Sequence, residues 1–319
     1  MFLDHMVLLT QNTTFIIGPI AQLFGIIMDT IYNIFNNMGI KSLGISIIVF
    51  TLIVRTLMLP LAFKQQKSMQ EMQKIQPELK KIQDKYKNKK DPESHQKFQM
   101  EMNQLYKEHG VSPFGGCLPV LVQFPIIIAL FQVLRNLPAY IKSVGLIYED
   151  IVHIVVPVEG SESILSEWAS ELMVKNFDIT NVKMVIDVLA KFSSEQWAIF
   201  IDQFNSVAHL ITPSLEKITE MYMFLGINLA DKPNLMSIGV LLPLLNVVVQ
   251  FMVMKSSTAS ASAEQNSTQK SMLYTMPLIT AFFVSTMPAG LGLYWLASSI
   301  FQWAQQVVIN SHLEDKEKK

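Results

Sequence analysis

Cysteine is almost missing: the 319 residues contain one, Cys117. A single thiol excludes an internal disulfide framework and any cysteine-based zinc cluster. The six histidines, at positions 5, 95, 109, 153, 209 and 312, are scattered without metal-ligand spacing. No glycine-rich dinucleotide fingerprint, phosphate loop, HExxH pair or GxSxG elbow occurs, so no enzyme chemistry, cofactor or metal is expected. Charge is scarce as well, at 16% of residues against about 25% in soluble domains. The net charge of −1 carries little information, because the distribution of charge matters more than its sum. What fills the chain is apolar: half the residues are hydrophobic, with 19 Met and 19 Phe and a mean hydropathy of +0.32. The apolar segments are too many and too long for a signal peptide alone, so an integral membrane protein is expected.

The segment Ile45–Phe63, ISIIVFTLIVRTLMLPLAF, organises the rest. As a helix it is about 28 Å long, enough to cross a bilayer core. Its one charge, Arg55, would lie roughly 12 Å from the Phe63 end. An arginine at that depth costs about 2.5–3.5 kcal/mol on insertion scales. One reading is a snorkelling side chain that thins the bilayer locally. The sharper reading places Arg55 in a wet cavity inside a helix bundle.

Met1–Gly18 lacks a basic n-region and a small-residue cleavage site before a cysteine, and is expected to be retained. Residues 1–42 form an external N-terminal segment. Within it Ile20, Leu23, Phe24, Ile27, Ile31, Ile34, Phe35 and Met38 share one helical face opposite Gln22, Asp29, Asn33, Asn36 and Asn37. That pattern predicts an amphipathic helix in the membrane interface, with a frayed first span as the alternative. The first span follows at 43–63. Residues 64–113 are polar; Lys64–His109 holds eleven lysines against seven acids. Met69, Met72, Ile75, Leu79, Ile82 and Tyr86 make a heptad-like stripe. Asp91-Pro92 offers a cap and a first-turn proline for a second helix carrying Phe98, Met102 and Leu105. An antiparallel hairpin on the cytoplasmic side is predicted. Its lysines suit either a solvated face beside anionic lipid or a docking surface for RNA or acidic partners.

The second span is 114–137. Residues 138–234 carry six lysines against thirteen acids and are expected outside, as an enlarged helical loop. Helices are predicted over Val182–Phe192, Ser194–Val207 and, after a Thr212 cap, Pro213–Phe224, with Trp197, Phe200 and Phe204 packing on lipid. The third span is 235–254, a polar cytoplasmic loop occupies 255–270, and the fourth span is 271–287. Pro288-Ala289-Gly290 leaves room for only a tight turn before the fifth span, within 288–310. A charged cytoplasmic tail, 311–319, ends the chain. The fold class expected is therefore an all-α polytopic membrane protein: five transmembrane helices, a cytoplasmic antiparallel helical hairpin and an external interfacial helix. The N-terminus lies outside and the C-terminus inside.

The spans carry Arg55 together with Gln123, Asn246, Gln250, Trp295 and Gln302. Each amide alone reads best as an ordinary interhelical hydrogen bond. Together with Arg55 they suggest a hydrated pocket. None of the five spans contains Asp or Glu, which argues against the carboxylate proton relay of a pump. A cation in a low-dielectric groove attracts polar or acidic peptide segments halfway across the membrane.

Five stretches carry a resemblance: Ser46–Leu61 (SIIVFTLIVRTLMLPL), the KQQKSMQEMQKIQPELKKIQDKY that follows, and Leu105–Phe131 (LYKEHGVSPFGGCLPVLVQFPIIIALF). FLGINLADKPN before the third span and Met276–Gln306 (MPLITAFFVSTMPAGLGLYWLASSIFQWAQQ) complete it. The sequence resembles the YidC/Oxa/Alb family of membrane protein insertases, bacterial members in particular. The resemblance implies a non-enzymatic insertase and chaperone in the bacterial cell membrane, with a hydrophilic groove open to cytoplasm and lipid but closed outside. Arg55 matches the family's groove arginine, Gln123 the polar residue of its GGC-LP-Q-P segment, and Trp295 a groove-facing position of the last span. Asn246 and Gln250 rest on the helical reading alone. Implied partners are nascent membrane proteins, lipid, the ribosome, targeting machinery and a Sec translocase, with no specific nucleic-acid readout. Two departures stand out: the external segment Leu146–Met223 is longer than is usual in the family, and no lipoprotein cysteine lies near the N-terminus, so lipid anchoring is not expected. A solute transporter is the rival from another class, but no internal repeat is visible. An envelope scaffold built on the external segment is a second alternative.

Overall fold

A computed structural model describes residues 11, 14–89, 91–111, 118–234, 236–258 and 267–317, with side chains described except at 118–122, 257–258, 267–274 and 312–317. The expectations for Met1–Thr10, for Phe114–Cys117 and for 259–266 of the polar loop lie outside the described residues. The described chain is helical apart from one two-stranded hairpin. It is an all-α membrane architecture. Ile17–Asn37 and Ile238–Ser256 are long and apolar enough to cross a bilayer, and the bent pair Leu43–Leu57 and Leu59–Lys74 makes a third if taken as one span. The chain divides into two compact units: 1–53, 125–248 and 278–298 in the first, and 54–124, 249–277 and 299–319 in the second.

In the first unit, α1 (Ile17–Asn37) buries Gly18, Ala21, Phe24, Gly25, Met28, Ile31 and Tyr32 and leaves Leu23, Ile26 and Ile34 exposed. This differs from the face expected from the sequence. Small residues at i, i+3 and i+7 (Gly18, Ala21, Gly25) let backbone approach, and here they do: a Cβ on Gly25 would lie 2.6 Å from the Tyr140 carbonyl oxygen. Two residues assigned to a solvated face are also engaged. Asp29 accepts from the Ser143 backbone N–H at 3.0 Å, and Asn33 accepts from the Ser143 hydroxyl at 2.9 Å. Ser143 lies in the first turn of α8 (Lys142–Val155), whose own N-cap, Ile141, provides no side-chain bond. Asp29 therefore caps α8 from another helix and complements its dipole. Gly25→Ala, although favoured by helix propensity, is expected to destabilise the protein by about 1–3 kcal/mol through overpacking, measurable as a lower melting temperature in detergent.

The enlarged segment is a helical subdomain with its own core. It contains α7 (Leu137–Tyr140), α8, α9 (Ser161–Glu171), α10 (Val182–Leu189), α11 (Ser194–Gln203) and α12 (Ala208–Tyr222). Tyr148, Ile151, Val152 and Val155 line the buried face of α8. Trp197, Phe200 and Phe204 do not lie on lipid; they are buried among Trp168, Phe192 and Tyr148, with ring centroids 4.7–6.2 Å apart. The Ser193 capping box starts α11 at the expected place. The expected Thr212 cap does not exist: α12 already runs from Ala208, Pro213 sits inside it, and the Thr212 hydroxyl donates back to the Ala208 carbonyl at 2.8 Å.

The Tyr148 and Tyr222 hydroxyls meet at 3.4 Å in this core. Burial pushes the Tyr148 phenol up to about 12 and raises Tyr222 as well. Both stay neutral when folded, whereas an unfolded tyrosine ionises near 10. Their contribution is thus fully present below about pH 10 and is lost as pH rises from there toward the folded values. Alkaline titration followed by near-ultraviolet circular dichroism should show subdomain unfolding beginning above pH 10, with a shallower slope in Tyr148→Phe.

The second unit holds α3 (Leu59–Lys74), α4 (Gln76–Tyr86) and α5 (Pro92–Glu108). The uninterrupted helix expected over Ile45–Phe63 is broken. α2 (Leu43–Leu57) stops at Met58 and α3 restarts with Pro60 in its first turn, bent by 60°. Pro60 has no N–H to give Thr56, and its ring would collide with that carbonyl if the helix ran on. The heptad-like stripe is likewise interrupted at Ile75, because Pro77 opens α4. Asp91 caps α5 as expected, accepting from Ser94 N–H at 2.8 Å. Ile75, Leu79, Leu105 and Val111 form a small buried cluster, while Tyr86 donates to Glu101 at 2.9 Å and its ring lies 5.8 Å from that of Phe98, tilted by 60°. The pairs run in opposite sense along the chain, so α4 and α5 lie antiparallel.

Candidate functional site

α6 (Leu118–Arg135), α13 (Leu241–Thr258) and α15 (Ala289–Glu317) carry the other residues expected to line a groove, and α14 (Ser267–Thr286) lies between the last two in the chain. Arg55 sits half-buried in the last turn of α2, three residues before the Met58 break. Gln123 is half-buried on α6, two residues before Pro125. Both have interactions within the protein. Gln250 is half-buried and accepts from the Ser299 hydroxyl at 3.3 Å, a bond from α13 to α15. Gln302 is exposed. These four belong to the second unit.

Asn246 and Trp295 belong to the first unit. Trp295 is half-buried, 6.3 Å from the Phe283 ring of α14. Asn246 is buried, and its amide donates to Leu242 O at 2.9 Å and to Gly292 O at 3.2 Å. It is an interhelical bond from α13 to α15, where Gly292 brings the helices together: a Cβ there would meet Leu242 and Val284 at 2.8 Å. Among the described residues the Asn246 Oδ1 has no hydrogen-bond partner. Asn246→Leu removes that buried acceptor along with the donated bonds, so the net stability change is expected within about 1 kcal/mol. A thermal melt in detergent checks it; a much larger drop would mean that the Asn246 bonds hold α13 against α15.

A cluster of amides in the second unit escaped the sequence reading. Gln66 and Gln70 of α3 donate to Asn310 Oδ1 at 3.1 and 3.5 Å, Gln306 donates to Gln66 at 3.4 Å, and Asn310 donates to the Ser256 carbonyl at 3.2 Å. The spacing was available: Gln66/Gln70 and Gln306/Asn310 are each one helical turn apart at the polar end of an apolar stretch. The same unit has an apolar cleft of about 490 Å³ lined by Leu59, Pro60, Phe63, Phe301, Val308 and Ile309, and none of the six expected groove residues lines it. Among the described residues no group of three or more His, Cys, Asp or Glu is placed to hold a metal ion.

Apolar side chains point outward in rows: Leu244, Leu245, Val248 and Phe251 on α13, Leu278, Ile279 and Phe282 on α14. In water such rows would be a liability; in lipid they are the solvent-facing surface. Residues 34–317 match the profile of the family described as 60Kd inner membrane protein. The chain belongs to that family. Relatives named Membrane protein insertase YidC include that of Fusobacterium nucleatum, 29% identical over 270 residues, which cover 85% of this chain and 87% of the relative. The Wolinella succinogenes relative is 29% identical over 293 residues, 92% of this chain but 37% of its own. That of Clostridium perfringens is 46% identical over 126 residues, 38% of this chain and 51% of its own. The chain thus spans most of the first and about a third to a half of the other two. Like the family, it is a multi-pass protein of the bacterial membrane. An insertase moves polypeptide into lipid without making or breaking a covalent bond, so the family is not one of enzymes.

Proposed function

We propose that this chain is a membrane protein insertase and chaperone that receives nascent membrane proteins and passes their apolar segments into lipid. The observation that carries the reading is Arg55, a cation kept half-buried in an otherwise apolar helix, right beside the Pro60 break. A broken helix end leaves backbone carbonyls and N–H groups for water, and water at that depth lowers the cost of the charge. A hydrophilic groove lined by Arg55, Gln123, Gln250 and Gln302 would hold a polar or acidic external segment of the substrate while its apolar helix slides into lipid, and Trp295 would contact substrate separately.

The topology proposed is five spans, with α1 as an external interfacial helix, the subdomain of α7–α12 outside and the α4–α5 hairpin in the cytoplasm. Its N-terminus is outside and its C-terminus inside. The lysine excess of 64–109 and the acid excess of 138–234 support that orientation. The hairpin would receive the chain from the ribosome or targeting machinery, alone or beside a Sec translocase. The test is reconstitution. Purified protein in liposomes should insert a single-span substrate carrying a short acidic external segment, well above the level of protein-free liposomes. Equal insertion with and without the protein would contradict the proposal.

A further inference from the structure

Between α12 and α13 the chain makes a tight hairpin, β1 (Met223–Phe224) and β2 (Ile227–Asn228), whose turn is Leu225-Gly226. This segment clasps the ends of three helices. Phe224 packs so closely on the first turn of α2 that a Cβ on Gly44 would lie 2.3 Å from its ring. The carbonyls of Leu229 and Asp231 accept from Gly290 and Ala289 at 2.9 and 2.8 Å, satisfying two orphan N–H groups at the start of α15. Gly226 faces Ile238, with 3.6 Å from a built Cβ to its Cγ2, in the turn that leads into α13.

The tip itself is anomalous. Leu225 and Gly226 both have positive φ, 50° and 80°. Two-residue turns of this kind take Asn-Gly or Asp-Gly, because a short polar side chain bonds locally and tolerates the left-handed region. Leucine there is strained, and its side chain is 77% exposed. The exposed apolar surface continues from the tip: Met236 is fully exposed, and Ile238, Leu241, Leu244 and Leu245 follow along the start of the apolar helix. Of the two charges in the connecting loop, Asp231 turns inward to accept from Asn228 and Ser194, and Lys232 is left exposed.

From this geometry we infer that the Leu225 tip, with Met236 and Ile238, is a lipid-binding wedge that seats the hairpin in the headgroup–acyl boundary of the bilayer. Continuity fixes the occupant. The row Leu241, Leu244, Leu245 faces acyl chains if α13 spans, and the tip touches the turn where that span leaves the lipid. Lys232 lies on the same loop, with a reach suited to lipid phosphates. By anchoring the segment that caps α15 and packs on α2, the wedge holds the ends of three helices at one level of the membrane. The inference rests on α13 being a span.

The test uses the full chain in phospholipid liposomes, with a nitroxide on single cysteines in a Cys117→Ser background at Leu225, Met236, Leu245 and Glu167. Leu245 is the acyl control and Glu167, exposed on α9, the water control. The proposal predicts that labels at 225 and 236 collide with oxygen several-fold more, relative to a water-soluble nickel chelate, than the label at 167. Depth should be shallower than at 245. A tip as open to nickel as position 167 overturns the proposal, and a tip shielded from both reagents overturns it in favour of a protein occupant. A water-like Leu245 overturns the span reading together with the wedge. Leu225→Trp, quenched by lipids brominated near the headgroup but not by aqueous acrylamide, gives the same decision without removing Cys117.

Discussion

Phe200→Ala is expected to lower the stability of the α7–α12 subdomain by about 3–5 kcal/mol. Phe200 is completely buried, with Phe192, Trp197 and Phe204 around it at centroid distances of 4.7–5.7 Å. Truncation removes a ring that three others share and leaves a cavity in the core. Trp168 and Trp197 report the event directly, so urea unfolding of the full chain in detergent, followed by tryptophan emission, should show a much earlier midpoint. Phe282→Ala is the contrasting variant: its ring is exposed on α14 and faces lipid in the proposed topology, so that midpoint should not move. Equal shifts for the two would mean that the aromatic cluster is not the core of the subdomain.

Insertion of acidic-tailed substrates is expected to be lost in Arg55→Ala and largely kept in Arg55→Lys. A groove that works through charge needs a cation at that depth rather than the bidentate guanidinium geometry. Lysine is shorter in donors but similar in reach, and it can snorkel to the same wet region. The dependence should be steepest for substrates with acidic external segments and weakest for purely apolar ones. A reconstituted insertion assay across the three versions and two substrate classes separates these outcomes. Equal insertion by all versions would remove the electrostatic element while leaving the hydrophobic one.

Much of the helical pattern was legible because its causes are local. Asp91-Pro92 starts α5 and Ser193 starts α11 through bonds within three residues. Where the reading went astray, a more distant or subtler cause prevailed. Trp197, Phe200 and Phe204 have a spacing that suits lipid and core equally; the rings that decide the matter are Tyr148 and Trp168 from other helices and Phe192 from the connection before α11. Asp29 and Asn33 look like a solvated face until Ser143, more than a hundred residues away in sequence, supplies their donors. Apolar periodicity also hid two helix breaks, at Met58 and Ile75, although Pro60 and Pro77 were present to announce them. Of the expected groove residues, Asn246 became an interhelical bond, as the ordinary behaviour of a lone amide among apolar helices suggests. The Gln66, Gln70, Gln306 and Asn310 amides show the reverse: a polar cluster whose members sit one turn apart in sequence but meet only in three dimensions.

Substrate is proposed to pass Gln123 and, as a separate contact, Trp295. The most direct measurement places a photoreactive amino acid at either position and illuminates membranes engaged with a ribosome-bound chain carrying one apolar span. The account predicts a crosslink to that span only while it is being inserted, weakened in Arg55→Ala. Absence of the crosslink from both positions, with the protein folded and the chain targeted, would contradict it and return Arg55 to hydration of the α2 break.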